Sequence, residues 1–146
     1  MQSFQILVVE DFEPFRQFVC SALRKRAEFQ VSEASDGLEA VRKVEQLQPD
    51  LLVLDIGLPN LNGIEVCKCA SNVAPAAKVL FVSQECSADI VLEAFNTGAH
   101  GYVQKLYAQS ELLSAVDTIL NGKRFVGSGL LGVPPPNGLA ASRTDH

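Results

Sequence analysis

Several things are missing from this sequence, and each absence narrows the reading. No stretch approaches the ~20 consecutive apolar residues that span a bilayer. The start, Met1-Gln2-Ser3-Phe4-Gln5, carries no basic residue, and Ile6-Leu7-Val8-Val9 is too short for a secretory signal core. The expectation is a cytoplasmic protein with no membrane contact. A dense lysine and arginine cluster is also missing, and the net charge is −5, which argues against direct nucleic-acid binding by this chain alone. The cysteines, Cys20, Cys67, Cys69 and Cys86, form no C-x-x-C motif and no paired metal-ligand spacing. They read as reduced thiols serving as small hydrophobes. Neither a Walker loop nor a G-x-G-x-x-G loop is present, and no internal repeat is visible. What remains is 146 residues, 47% apolar and 20% charged, enough for one globular domain with a substantial core.

Short apolar runs alternate with amphipathic stretches along the chain. Ile6–Val9 is the first run. Phe15, Phe18, Val19, Ala22 and Leu23 follow on one helical stripe. Phe29–Ala34 alternates as a half-covered edge strand does. Asp36, with Glu39 three residues on, marks a helix start, and Leu38, Val41, Val44 and Leu47 continue that helix. Leu51-Leu52-Val53-Leu54 is the pattern of a central strand covered on both faces, ending at Asp55. After the loop Gly57–Gly63, a short helix is expected over Ile64–Ala70, then a strand over Lys78–Val82 ending at Ser83. Ser87 caps the next helix and Gly98 stops it. A last strand over Tyr102–Gln104 ends at Lys105, and Leu112, Leu113, Val116, Ile119 and Leu120 form the final helical stripe. Five strands alternating with five helices imply an α/β fold: a doubly wound, five-stranded parallel sheet with helices on both faces. The domain is expected over 1–126, and the Gly/Pro-rich stretch 127–146 reads as a flexible tail.

The polar residues at the strand ends are the informative ones. Glu10, Asp11, Asp55, Ser83 and Lys105 each lie at or just past the carboxyl end of a strand, and in a parallel sheet those ends share one edge, where open α/β folds bind ligands. Each has a plain alternative: Asp11 as a helix cap, Ser83 as a loop hydroxyl, Lys105 as a solvated charge. As a set they make chemical sense. Crowded carboxylates need a cation, and all-oxygen ligands suit Mg2+. With the metal screening charge, Asp55 can act as a nucleophile toward a phosphoryl group, while Lys105 and Ser83 supply a positive charge and a hydroxyl donor.

With those residues in place, the chain resembles the receiver domains of bacterial response regulators over about residues 4–126. The resemblance rests on ILVVED (6–11), LLVLDIGLPNLNGIE (51–65), VLFVS (79–83) and GAHGYVQK (98–105). It implies a flavodoxin-like sheet of order 2-1-3-4-5 and two-component signalling. Asp55 resembles the phospho-acceptor, Asp11 the direct metal ligand, and Glu10 the acidic residue acting through metal-bound water. The Gly57 carbonyl resembles a further metal ligand, Ser83 the switch hydroxyl, Lys105 the phosphate-pairing lysine, and Tyr102 the aromatic residue that rotates inward on activation. The implied partners are a histidine kinase or phosphotransfer protein upstream, an unidentified protein downstream, and a second copy in a phosphorylation-linked homodimer. The implied cofactor is Mg2+. Catalysis is limited to the chain's own phosphorylation and dephosphorylation, so it is not an enzyme in the ordinary sense.

The segment GYVQK, then SELLSAVDTILNGKRFV, looks most like receivers that precede a LuxR-type helix-turn-helix. The 20 residues after Val126 fall short of the ~50 such a domain needs, so the expectation is a stand-alone receiver, with a fragment of a DNA-binding regulator as the alternative. Four positions depart from the pattern: Leu106 replaces a proline, Glu10 an aspartate, Gln84 a small residue and Gly57 a larger one. A trans Lys105–Leu106 bond is expected, since a cis bond without proline costs ~3 kcal/mol. A receiver-like docking module that is never phosphorylated stays open. A phosphatase ranks low because Gly57 stands where such enzymes carry a second aspartate. A flavin carrier ranks low because Glu10-Asp11 would repel the flavin phosphate.

Overall fold

The computed structural model describes residues 2–130. The strands are β1 (Phe4–Val9), β2 (Phe29–Ala34), β3 (Leu51–Leu54), β4 (Lys78–Ser83), β5 (Gly101–Gln104) and β6 (Phe125–Val126). The helices are α1 (Glu13–Arg24), α2 (Gly37–Leu47), α3 (Gly63–Val73), α4 (Ala88–Thr97) and α5 (Ala108–Leu120). All strands pair in parallel in the order β2-β1-β3-β4-β5-β6.

The expected five strands are therefore six among the described residues. Gly122, with φ of 89°, turns the chain back after α5. Phe125 then donates to His100 O at 3.1 Å, and Gly127 to Tyr102 O at 2.9 Å. A two-residue strand carries no periodicity, so tertiary pairing alone reveals it. Ordered packing continues past Val126. The Ser128 amide and hydroxyl donate to the Glu111 carboxylate, Gln104 Nε2 donates to Ser128 O, and Leu130 is buried beside the α2–α4 layer. The rest of the expected tail, 131–146, lies outside the described residues.

The sheet alternates its side chains between two apolar layers. Leu52 and Leu54 of β3 meet α2, α3 and α4 through Val44, Val66 and Val91, whereas Leu51 and Val53 meet α1 and α5 through Leu23 and Val116. Burial on both faces explains the unbroken apolar run. No helix among the described residues is long and apolar enough to cross a membrane.

Two helices are turned relative to their apolar stripes. In α1, Phe18 is 36% exposed while Cys20 is buried. In α2, Leu38 is 51% exposed, and Gly37, Ala40 and Val44 face inward. Close approach sets that rotation: a Cβ on Gly37 would lie 1.9 Å from Leu61 O, so the smallest residues must take the contact. Asp36 caps α2 by accepting from Glu39 N at 2.9 Å. α3 begins at Gly63, one residue before the expected start, because Asn62 and Glu65 cap each other's backbone N–H groups at 3.0 and 2.9 Å. Ser87 caps α4 and Gly98, at φ 125°, ends it, both as expected. The four cysteines are free, and burial pushes the Cys20 and Cys67 thiols up to about 11.

His100 ties α4's exit to β4. Its Nδ1 accepts from Val79 N at 3.1 Å. Burial, then the Arg124 and Lys78 charges, holds its pKa below the ordinary 6.5. The folded state thus favours neutral imidazole: the contact contributes fully above pH 6.5 and is lost as pH falls through the lower folded value. His100→Asn keeps an acceptor that cannot protonate, so its thermal midpoint is expected to fall less than that of the wild type between pH 7 and about 5.5. Parallel melting curves for the two proteins would contradict this.

Candidate functional site

Register assembles the site. Val9 of β1 lies level with Leu54 of β3, so the next residues, Glu10 and Asp55, emerge side by side. Ser83 pairs with Gln104, placing Lys105 just beyond the same edge. The residues are 45 and 50 positions from Asp55, yet parallel pairing brings them to one place.

Glu10 is 3% exposed and Asp55 8%. Lys105 Nζ bridges them, 2.8 Å from Glu10 Oε1 and 3.2 Å from Asp55 Oδ2. The other carboxylate oxygens are also engaged: Glu10 Oε2 accepts from Phe12 N at 3.0 Å, and Asp55 Oδ1 from Ile56 N at 2.8 Å. Burial raises the pKa of Glu10 and Asp55's charge adds to it, against the opposing pull of Lys105 and the Phe12 N–H. For Lys105 burial disfavours the charge, but the Glu10 hydrogen bond and the charges of Asp55 and Glu10 outweigh it and raise its pKa. Both shifts describe one thing, a carboxylate pair sharing a lysine with little water.

Asp11 is exposed at the mouth of this pair. One carboxylate oxygen each from Glu10, Asp11 and Asp55 lies within 4.8 Å of the others. An octahedral Mg2+ shell with bonds near 2.1 Å is about 4.2 Å across, so the cluster has the size and the hard donors to hold such an ion with part of its water. Lys105 neutralises only one of the three carboxylates, which leaves charge for a divalent cation.

Ser83 and Tyr102 lie in a neighbouring arrangement that shares Glu85. Ser83 is buried, and its Oγ accepts from Glu85 N at 3.1 Å. Tyr102 is already fully buried, its ring 6.0 Å from Phe81, and its hydroxyl donates to Glu85 O at 2.8 Å. Burial pushes that phenol up to about 12, with the Ser83 hydroxyl pulling the other way. The backbone of Glu85 thus joins the two, a role with no side-chain signal in the sequence. Gly57 is exposed, and a Cβ there would meet nothing within 4 Å. Gln84 is exposed as well. Lys105 opens a tight 3-10 turn through Tyr107; Leu106 is 79% exposed, and no peptide bond among the described residues is cis.

A parallel, doubly wound sheet with an acidic cluster and a lysine at its carboxyl edge defines a flavodoxin-like α/β domain with a cation-ready polar site. The chain belongs to the response regulator receiver domain family, whose family model matches residues 6–117. It is therefore a receiver domain of the kind found in two-component response regulators. It is 32% identical to the transcriptional regulatory protein DegU of Brevibacillus brevis, over 84% of this chain and 52% of that protein. To the chemotaxis protein CheY of Thermotoga maritima it is 30% identical, over 79% of this chain and 96% of CheY. Among solved structures, a LuxR-family two-component response regulator from Aurantimonas sp. SI85-9A1 superposes with a TM-score of 0.83 at 31% identity, covering 88% of this chain and 93% of that one. The signal receiver domain of the putative response regulator NarL from Mycobacterium tuberculosis gives 0.79 at 27%, covering 84% and 100%. The chain spans about half the length of the transcriptional regulators it matches, 52% of DegU and 54% of LnrK from Bacillus subtilis.

Proposed function

We propose that the chain is a phosphorylation switch that accepts a phosphoryl group on Asp55 from a phosphohistidine of a histidine kinase or phosphotransfer protein. An Asp55 carboxylate oxygen attacks phosphorus, the phosphorus–nitrogen bond breaks, the imidazole leaves and takes up a proton, and an aspartyl phosphate forms. Glu10, Asp11, Asp55 and the Gly57 carbonyl would hold Mg2+. When bound, that ion screens the negative charge between donor and acceptor. Lys105 passes from Asp55 Oδ2 to the phosphoryl oxygens, as a charge already at the position where it is needed. Ser83 turns from Glu85 N toward the new group, and Tyr102, tied to Glu85 O, reports that movement to the face formed by α4, β5 and α5. The switch is a population shift between two packings. The observation that carries this reading is the convergence of Glu10, Asp11 and Asp55, with Lys105 within salt-bridge distance of Glu10 and Asp55.

On this reading the protein acts in the cytoplasm, carries out only its own phosphorylation and dephosphorylation, and passes its state to a downstream protein or a second copy. Incubation with a small phosphodonor and Mg2+ should label the wild type, while Asp55→Asn should lose labelling by at least about 10²-fold. Equal labelling of the two would sink the proposal. A second reading, a receiver part of a DNA-binding transcriptional regulator, draws on the half-length match to DegU and LnrK. A helix-turn-helix coding segment in frame after residue 146 would favour it, and a stop codon there would rule it out.

A further inference from the structure

The chemistry at Asp55 needs Lys105 held at one place, and the two carboxylates do not complete its surroundings. An ammonium has three donors, and Glu10 and Asp55 account for two. Lys105 Nζ also sits over the ring of Phe15, 4.8 Å from its centroid, inside the range where a ring face attracts a cation.

The placement of that ring is itself controlled. Phe15 lies in the first turn of α1, half-buried against the α1–α5 layer, with the Phe18 ring 5.6 Å away. α1 is fastened to the end of β1 at Glu10: Phe12 N donates to Glu10 Oε2, and Arg16 Nη1 donates to Glu10 O at 2.9 Å. Glu10 therefore binds Lys105 directly and fixes the helix that brings up the ring. The Phe15 ring, Glu10 and Asp55 also border a gap of about 10 Å³ that reaches Val82, at the lower limit of what one water needs.

We propose that Phe15 is a positioning residue for Lys105, its ring face holding the ammonium against Glu10 and Asp55 where the incoming phosphoryl group requires it. The effect on uptake rests on reading Asp55 as the acceptor; the ring–ammonium contact does not. Three replacements separate face from bulk. Phe15→Leu keeps an apolar side chain and loses the face. Phe15→Tyr keeps the face. Replacement by 3,4,5-trifluorophenylalanine keeps the shape and drains charge from the face, which a packing role would not register.

The test measures phosphoryl uptake from a small donor with Mg2+ and the NMR shifts of the Lys105 ε-methylene protons, on full-length protein confirmed as folded by melting. Phe15→Leu and the trifluoro variant should slow uptake by roughly three- to tenfold, with Phe15→Tyr near the wild type. The ε-methylene protons should be shifted upfield by the ring in the wild type and return toward free-lysine values in Phe15→Leu. Wild-type uptake rates in both the Leu and trifluoro variants would overturn the positioning role, as would unshifted ε-methylene protons in the wild type. If the wild type takes up no phosphoryl group, the reading of Asp55 fails instead. The ring shift and its loss in Phe15→Leu then decide the contact on their own.

Discussion

Gly63→Ala is expected to destabilise the protein by about 3 kcal/mol, lowering its melting temperature by roughly 10 °C, and, on the proposed reading of Asp55 as the acceptor, to slow phosphoryl uptake there. A Cβ at Gly63 would lie 2.1 Å from Asp55 O and 2.9 Å from both Asp55 C and Ile56 Cα. These are backbone atoms at the end of a central strand, so no side chain can swing aside. Gly63 N donates to Ile56 O at 2.8 Å, which locks the start of α3 against the residue that follows Asp55. The clash must therefore move either α3 or Asp55. Gly57→Ala, six residues earlier in the loop that leads into α3, is the control: its Cβ would enter open space and its φ is not in the left-handed region, so stability should change by less than about 0.5 kcal/mol. Urea unfolding of both variants gives the comparison. A Gly63→Ala protein as stable as the wild type would show that α3 does not rest on Asp55.

Lys105→Met should cost about 2 kcal/mol at pH 7 and, on the proposed phosphoacceptor reading, slow phosphoryl uptake by roughly ten- to a hundredfold. Methionine keeps most of the stem's packing but removes the charge shared by Glu10 and Asp55. The stability loss is set below the ~3–5 kcal/mol of a fully buried pair because the Lys105 side chain is 16% exposed. The pH dependence fixes the cause. Glu10 is already held above the ordinary 4.5 by burial, and losing Lys105 raises it further. A carboxyl whose folded pKa is raised stabilises the fold below its unfolded value and loses that contribution as pH rises through the folded value. The deficit of Lys105→Met relative to wild type should therefore be largest at pH 7 and above, and shrink as pH falls toward 4.5. A deficit independent of pH would point to lost packing. Mg2+ should stabilise this variant more than the wild type, since Lys105 is the cation paired with Glu10 and Asp55 among the described residues.

Much of this protein is legible locally. Leu51–Leu54 announces a strand covered on both faces, and Asp36 and Ser87 announce helix starts, because each signal lies within a few residues of what it specifies. Helix rotation was less legible. The stripes of α1 and α2 contain Phe18 and Leu38, yet Cys20, Ala40 and Gly37 take the inner positions. Hydrophobicity identifies an amphipathic helix, whereas the closest approach to a neighbour, Leu61 against Gly37, decides which angle faces in. β6 is too short to carry a pattern, and Glu85 acts through backbone atoms that every residue possesses.

The candidate site divides the same way. By itself the sequence determined that Glu10, Asp11, Asp55, Ser83 and Lys105 stand at strand ends, and a parallel sheet puts all such ends on one edge. Only the tertiary structure decided who touches whom there. It gave Lys105 to Glu10 and Asp55 together, seated its ammonium over Phe15, and joined Ser83 and Tyr102 through Glu85. The reason is physical. Strand ends follow from local hydrophobic length, but contacts among them depend on inter-strand register and helix rotation, which are fixed by packing between residues far apart in the chain.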